Sequence, residues 1–208
     1  TEVGYPTRGW YLSRVSERNK PAYVIKTLAG LLTRGARVVF WYELFDKFPQ
    51  GKAPSRWDSE LYFGLQYPDF KPKSGAAAYA LMAKHTAGSI YRADLVQVSS
   101  KPDDLEVLPF VHPERGVTLI LINRLTQPGE ELRVKLTPIE NLYVHDIATG
   151  KKTRVSSEGV FFLSDQPLFV TWENPIPTSV LPTLRVETVQ SPSSSVTFSG
   201  ELSFTFSF

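Results

Sequence analysis

The sequence predicts an α/β segment followed by an all-β segment. Three observations carry this reading. The first 90 or so residues set helical apolar stripes around one short β-branched and aromatic run. From about Tyr91, short runs of alternating apolarity follow one another, separated by turn signals. From Asn174 the composition becomes rich in proline and serine. We therefore divide the chain into residues 1–90, 91–173 and 174–208.

In the first segment, KPAYVIKTLAGLLTRG places Ala22, Val24, Ile25, Leu28, Leu31 and Leu32 on one helical stripe. Pro21 suits the first turn of this helix and Gly35 its end. ARVVFWYEL lacks alternation, as expected of a strand buried on both faces in a parallel sheet. A long loop follows, from about Phe45 to Pro72, and carries Trp57, Tyr62, Phe63, Tyr67 and Phe70. SGAAAYALMAKHTAG then reads as a second helix, with Ser74 as N-cap and Gly88 as stop.

In the second segment, DLVQVSS, LEVLPFVH, VTLILINR, ELRVKLT, NLYVHDI, KKTRVSS, VFFLSD and LFVTWE read as short strands. Glu114-Arg115-Gly116, Pro128-Gly129 and Thr149-Gly150 mark turns between them. Leu132, Val134 and Leu136 alternate, which predicts an antiparallel β-sandwich. About 80 residues can bury a small core of their own. In the third segment, NPIPTSVLPTLRVETVQSPSSS reads as a linker or an extended crossing. The closing SVTFSGELSFTFSF alternates with period two and predicts a strand, with Phe204, Phe206 and Phe208 on one face. Its final Phe resembles the last strand of an outer-membrane barrel, but the preferred reading is an added edge strand on the sandwich or one that pairs with another subunit.

Bulk composition excludes several classes. Of 208 residues, 42% are hydrophobic and 21% charged, as in ordinary globular proteins. Twenty-three Lys and Arg against 21 Asp and Glu leave +2, which predicts neither nucleic acid nor an anionic membrane as partner. The absence of cysteine excludes disulfides, thiolate metal sites and a cysteine nucleophile. No apolar run approaches the roughly 20 residues of a membrane-spanning helix. The three histidines, His85, His112 and His145, have no metal-ligand spacing, so no metal and no cofactor are expected. His85 is placed near a helix end, where a cation is favourable.

Three passages, TEVGYPT, VVFWYELFD and FGLQYPDFKPKSGAAAYALM, occur in an order and spacing that resemble the closing segment of clan A glycoside hydrolases. The β-xylosidase and α-iduronidase type, similar to families 39 and 5, is nearest in pattern. The resemblance covers roughly residues 1–87. It implies the last two strand/helix units of a (β/α)8 TIM barrel, followed by a β-sandwich. In that family the nucleophile Glu ends the seventh strand, commonly in Thr-Glu-x-Gly, which maps onto Glu2. A Trp beside the sugar on the eighth strand maps onto Trp41. Lys73-Ser74-Gly75-Ala76 departs from the pattern, which usually has proline after the lysine. The other six strands and the acid/base Glu are expected elsewhere, in the same polypeptide or in a separate chain. TEVGYPTRGW accordingly reads as an interior passage.

Retaining glycosidases use two carboxylates about 5–5.5 Å apart, one as nucleophile and one as acid then base. Glu2 would attack the anomeric carbon; the bland alternative is a terminal Glu without a role. Trp41 would stack on a pyranose or else fill the core. Glu43 would hydrogen-bond a sugar hydroxyl or face solvent. Tyr5, Trp10 and Trp57 lie on loops that would border the cleft, as ligand contacts or as loop anchors. Tyr143, Phe161, Phe162, Phe169 and Trp172 would line a sugar-binding face or belong to the core. The resemblance thus implies a secreted or periplasmic enzyme acting on poly- or oligosaccharides. The competing reading is a non-catalytic module that binds carbohydrate or scaffolds a partner.

Overall fold

Two short strands open the structure. β1 (Glu2–Val3) and β2 (Phe40–Trp41) pair in parallel, Glu2 opposite Phe40 and Val3 opposite Trp41. The Phe40 amide donates to the Thr1 carbonyl at 2.9 Å, and the Tyr42 amide to the Val3 carbonyl at 2.7 Å. Gly4 permits this approach: a Cβ there would lie 1.9 Å from the Tyr42 carbonyl oxygen. The computed structural model describes residues 1–9, 14–47, 55, 57–99, 105–123, 131–137, 140–172 and 183–189. Trp10 and the closing SFTFSF strand lie outside these residues.

A helix follows each of the two strands. α1 (Lys20–Thr33) carries Pro21 in its first turn and buries Val24, Ile25 and Leu28. It ends at Arg34, with Gly35 at φ +89° just beyond. α2 (Ser74–Thr86) buries Ala78, Leu81 and Met82. Ser74 is not its N-cap, contrary to the sequence reading. Lys73 holds that position, and the Ser74 hydroxyl donates instead to the Glu17 carbonyl.

The run before α2 also differs from expectation. Only Phe40 and Trp41 are strand, and they are not buried on both faces. Val39 and Trp41 pack against the helical cluster, while Val38 and Phe40 are 58% and 66% exposed.

Among the described residues, ten further strands follow: β3 (Ile90–Tyr91), β4 (Gln97–Ser99), β5 (Leu105–His112), β6 (Gly116–Asn123), β7 (Glu131–Thr137), β8 (Leu142–His145), β9 (Lys152–Arg154), β10 (Val160–Leu163), β11 (Leu168–Trp172) and β12 (Thr183–Val189). They form a six-stranded sheet, β3-β5-β6-β11-β8-β9, and a four-stranded sheet, β10-β7-β12-β4. All pairs are antiparallel except β12 with β4. β12 falls where the sequence reads as a linker. Its TLRVETV alternates with period two, but the flanking prolines and serines hide that signal.

The six-stranded sheet is covered on both sides. Leu108, Phe110, Ile120, Ile122 and Phe169 join the α1 and α2 residues in one core cluster. Leu105, Leu119, Leu121 and Val170 join Leu132, Val134 and Leu136 of the second sheet in another. This double covering explains why every residue of β6 is buried and why GVTLILIN does not alternate. β7 has one buried face only, and its alternation is regular. Burying each large aliphatic side chain contributes roughly 1.5–3 kcal/mol, so β6 anchors both cores.

Candidate functional site

Because β1 and β2 are parallel, the chain leaves both at the same end. The described residues of the segments that follow, 4–9 and 14–19 after β1 and 42–47, 55 and 57–73 after β2, therefore gather there. In α/β folds, groups that bind ligands collect at the carboxyl ends of parallel strands.

The sequence-predicted residues fall in several places around this end. Glu2 is exposed and shares a strand face with Phe40. Trp41 shares the opposite face with Val3, and both lean on the helical core. Tyr5 lies on that side too. Its hydroxyl is 3.0 Å from Thr27 Oγ1, and its ring meets Tyr23 edge-on at 5.2 Å and Trp41 at 6.1 Å. The structure thus brings Trp41 and Tyr5 together and sets Glu2 on the other face. Trp41 Nε1 is buried without a hydrogen-bond partner among the described residues.

Glu43 belongs to a polar cluster just past β2. Its Oε2 accepts from Lys47 Nζ at 2.9 Å, while its Oε1 is buried and unpartnered among the described residues. Lys47 also donates to the Tyr42 hydroxyl, which donates to Glu60 Oε2 at 3.3 Å. The Tyr42 hydroxyl and then Glu43 push the Lys47 pKa up. The Tyr42 ring is fixed edge-on against Phe63 at 5.3 Å. Lys47 and Glu60 lie outside the three quoted passages, and Tyr42, within VVFWYELFD, has no role assigned to it by the sequence.

Beneath the loops lies a buried charged network, also unanticipated. Lys73 Nζ donates to both Asp46 oxygens at 3.1 and 3.0 Å, to Glu17 Oε1 at 2.7 Å and to Thr7 Oγ1 at 3.1 Å. Asp46 Oδ1 also accepts from the Gly64 amide at 2.8 Å. Lys20 Nζ donates to the Phe63 and Gly64 carbonyls at 2.9 and 2.7 Å. Burial, and next the charge of Lys73, lower its pKa to about 8. Both lysines sit at helix N-termini, where the dipole disfavours a cation, so oxygen partners from the loops hold them there. The network fixes the loop after β1 to the loop after β2. A lysine opening each helix was the available signal.

Trp57, 51% exposed, stands on the loop after β2, just ahead of a 3-10 turn at Ser59–Leu61. Asp58 caps that turn by accepting from the Glu60 amide at 3.1 Å. Trp57 borders a cleft of roughly 580 Å³ that also includes Arg8 and Arg14 from the loop after β1.

The histidines correct a further expectation. His85 and His145 do meet, their rings 5.0 Å apart and edge-on, between α2 and the six-stranded sheet. His145 Nε2 lies 2.8 Å from Thr171 Oγ1. Burial above all lowers the pKa of each to about 4, so His85 is not the helix-end cation that its position suggests. Among the strand aromatics, Phe161, Phe169 and Trp172 are buried, whereas Phe162 is 54% exposed.

No family model matches the sequence, and no curated protein matches it. Solved structures are similar. A family 39 glycoside hydrolase from the gut symbiont Bacteroides cellulosilyticus WH2 superposes at a TM-score of 0.62 and 20% identity, over 83% of this chain and 33% of that one. The catalytic domain of GH30 xylanase C from Talaromyces cellulolyticus gives 0.45 and 15%, over 82% and 39%. The GH39 enzyme from Xanthomonas axonopodis pv. citri gives 0.39 and 13%, over 77% and 41%. The chain thus spans between a third and two fifths of these clan A hydrolases. At 20% identity, the first establishes likeness of fold and nothing of activity.

Proposed function

We propose that the chain is the C-terminal portion of a retaining glycoside hydrolase, and that Glu2 is its nucleophile. The observation that carries this reading is the placement of Glu2. It is an exposed carboxylate on β1, one residue ahead of the carboxyl end of that strand, on the face it shares with exposed Phe40.

In this reading, further strands of a TIM barrel cover the open apolar face of Val38 and Phe40, since a barrel closes by pairing every strand edge. They come from the same polypeptide or from another chain. The two sheets after residue 90 are its accessory β-sandwich. The ionised Glu2 attacks the anomeric carbon as the glycosidic C–O bond breaks. A second carboxyl group, supplied by those other strands and protonated at this stage, gives its proton to the departing oxygen. The same group then takes a proton from water as the water oxygen bonds the anomeric carbon and the bond from that carbon to Glu2 breaks, which releases the sugar and regenerates Glu2.

Glu43, whose buried Oε1 has no partner among the described residues, accepts a sugar hydroxyl once the Lys47 side chain yields access, and Trp57 offers an indole face to a pyranose. Tyr5 and Trp41 serve from behind, by packing β1 and β2 on α1. The substrate is a poly- or oligosaccharide met outside the cell or in the periplasm. The test is turnover by the complete protein before and after Glu2→Gln: a loss of hydrolysis with the fold intact supports the nucleophile. Unchanged turnover favours a non-catalytic carbohydrate-binding or scaffolding module.

A further inference from the structure

The histidine pair stands where the helical layer meets the six-stranded sheet, and the hydrolysis proposed above makes no use of it. His85 lies in the last turn of α2 and His145 at the end of β8. His145 is 4% exposed, and its Nε2 lies 2.8 Å from Thr171 Oγ1 on β11. The His85 ring stands edge-on to it at 5.0 Å and tilted to the Phe169 ring at 5.9 Å. His85 Nε2 is buried with no hydrogen-bond partner among the described residues. A neutral ring tolerates such a place, whereas a charged one needs an anion or water.

The surroundings supply cations instead. Lys84 of α2, Arg115 of the turn between β5 and β6, and Lys152 of β9 act against a proton on His85, and Lys152 and Lys84 against one on His145. The same turn brings His112, whose Nδ1 accepts from the Glu114 and Arg115 amides. Among the described residues no carboxylate forms an ion pair with either ring. Asp146 Oδ1 accepts from the Ala148 and Thr149 amides of its own turn, and Glu114 is exposed.

The end of α2 is fastened differently from its middle. Ala78, Leu81 and Met82 hold the helix in the apolar core. Arg115, which donates to the Ala87 carbonyl, and the ring contacts of His85 hold its last turn. Gly88 follows at φ +71°, where the chain leaves the helix for β3. Opening one terminal turn exposes little apolar surface and so costs far less than global unfolding.

We propose that His85 and His145 form an acid-sensitive latch, which holds the C-terminal turn of α2 on β8 and β11 near neutrality and releases it, locally and reversibly, when acid charges the rings. Opening puts the rings in water, where each takes a proton at the ordinary 6.5 rather than at about 4. Between pH 8 and 5 this favours the open form by roughly thirtyfold for each ring exposed. The latch is independent of Glu2 and of carbohydrate. Unlike a loss of global stability, it places the first opening at one joint.

Hydrogen exchange of the complete protein at pH 8, 6.5 and 5, corrected for the intrinsic pH dependence of exchange, tests it. The Ala87 and Ser89 amides donate to the Ala83 and Thr86 carbonyls and report on the turn. We expect their protection to fall by about tenfold or more from pH 8 to 5 and to return on neutralisation. Leu119 and Leu121 of β6 are expected to keep theirs. His85→Phe with His145→Phe is expected to abolish the response, with circular dichroism confirming the fold. Ring titration of the parent protein by NMR is a second readout that needs no variant, and both rings are expected to titrate below the ordinary 6.5. The latch is overturned by equal protection of the turn at pH 8 and 5, by protection of β6 that falls in step with it, by an unchanged response in the double variant, or by rings that titrate at the ordinary value.

Discussion

Lys73 Nζ lies 3.0 Å from Asp46 Oδ2, with the two side chains 0% and 2% exposed. This pair ties the loop after β2 to the start of α2. Removing one partner strands the other charge in the interior. We expect Lys73→Ala to cost about 3–5 kcal/mol in urea unfolding. Replacing both residues, as Lys73→Met with Asp46→Leu, is expected to recover much of that loss.

The double covering of the six-stranded sheet makes neighbouring residues of β6 answer to different cores. Ile120 belongs to the helical cluster and Leu121 to the cluster between the sheets. Ile120→Ala and Leu121→Ala are each expected to cost about 2–5 kcal/mol. Phe162→Ala, at a site 54% exposed, is expected to change stability by only about 0.5 kcal/mol. Denaturant midpoints of the three variants check the contrast.

His85 and His145 give a pH dependence. Burial lowers both pKa values from the ordinary 6.5 to about 4; His145, Lys84, Arg115 and Lys152 add to the effect on His85, and Lys152 and Lys84 to that on His145. The folded value lies below the unfolded one, so the unfolded chain binds more protons between those limits. Stability is intact above pH 6.5 and falls as pH drops toward 4. Urea midpoints are expected to decline over that range, and the decline to be shallower in His85→Phe. A flat profile in the parent protein would contradict the buried, neutral pair.

Gly4 carries the pairing of β1 with β2. Gly4→Ala puts a methyl group 1.9 Å from the Tyr42 carbonyl oxygen. The Tyr42 backbone and the Phe63 ring, 3.0 Å away, crowd it, so we expect a loss of about 1–3 kcal/mol. Hydrogen exchange of the Phe40 and Tyr42 amides, which donate across the pair, is expected to quicken.

Elements whose burial has a single period were legible in the sequence. The α1 stripe and the alternation of β7 fall where predicted. Short range was sufficient for the ends of both helices, at Gly35 and Gly88. What escaped depends on contacts between distant residues. Nothing local tells that Lys73 would turn down to Asp46 rather than let Ser74 cap α2. Nor does VVFWYEL show which of its faces is covered, because both are apolar. His85 and His145, 60 positions apart in the chain, meet only once α2 lies on the sheet. In the candidate site, aromatic residues drew notice by type, whereas Arg8 and Arg14 come to line one cleft only through the fold of the loop around Gly9.

The most direct test of the central proposal is the turnover number of the complete protein with Glu2 replaced by Gln, a change that keeps shape and removes charge. The account predicts a fall on the order of 10³-fold or more, with the thermal unfolding curve unchanged. Hydrolysis at the parental rate by the correctly folded Glu2→Gln protein would contradict it.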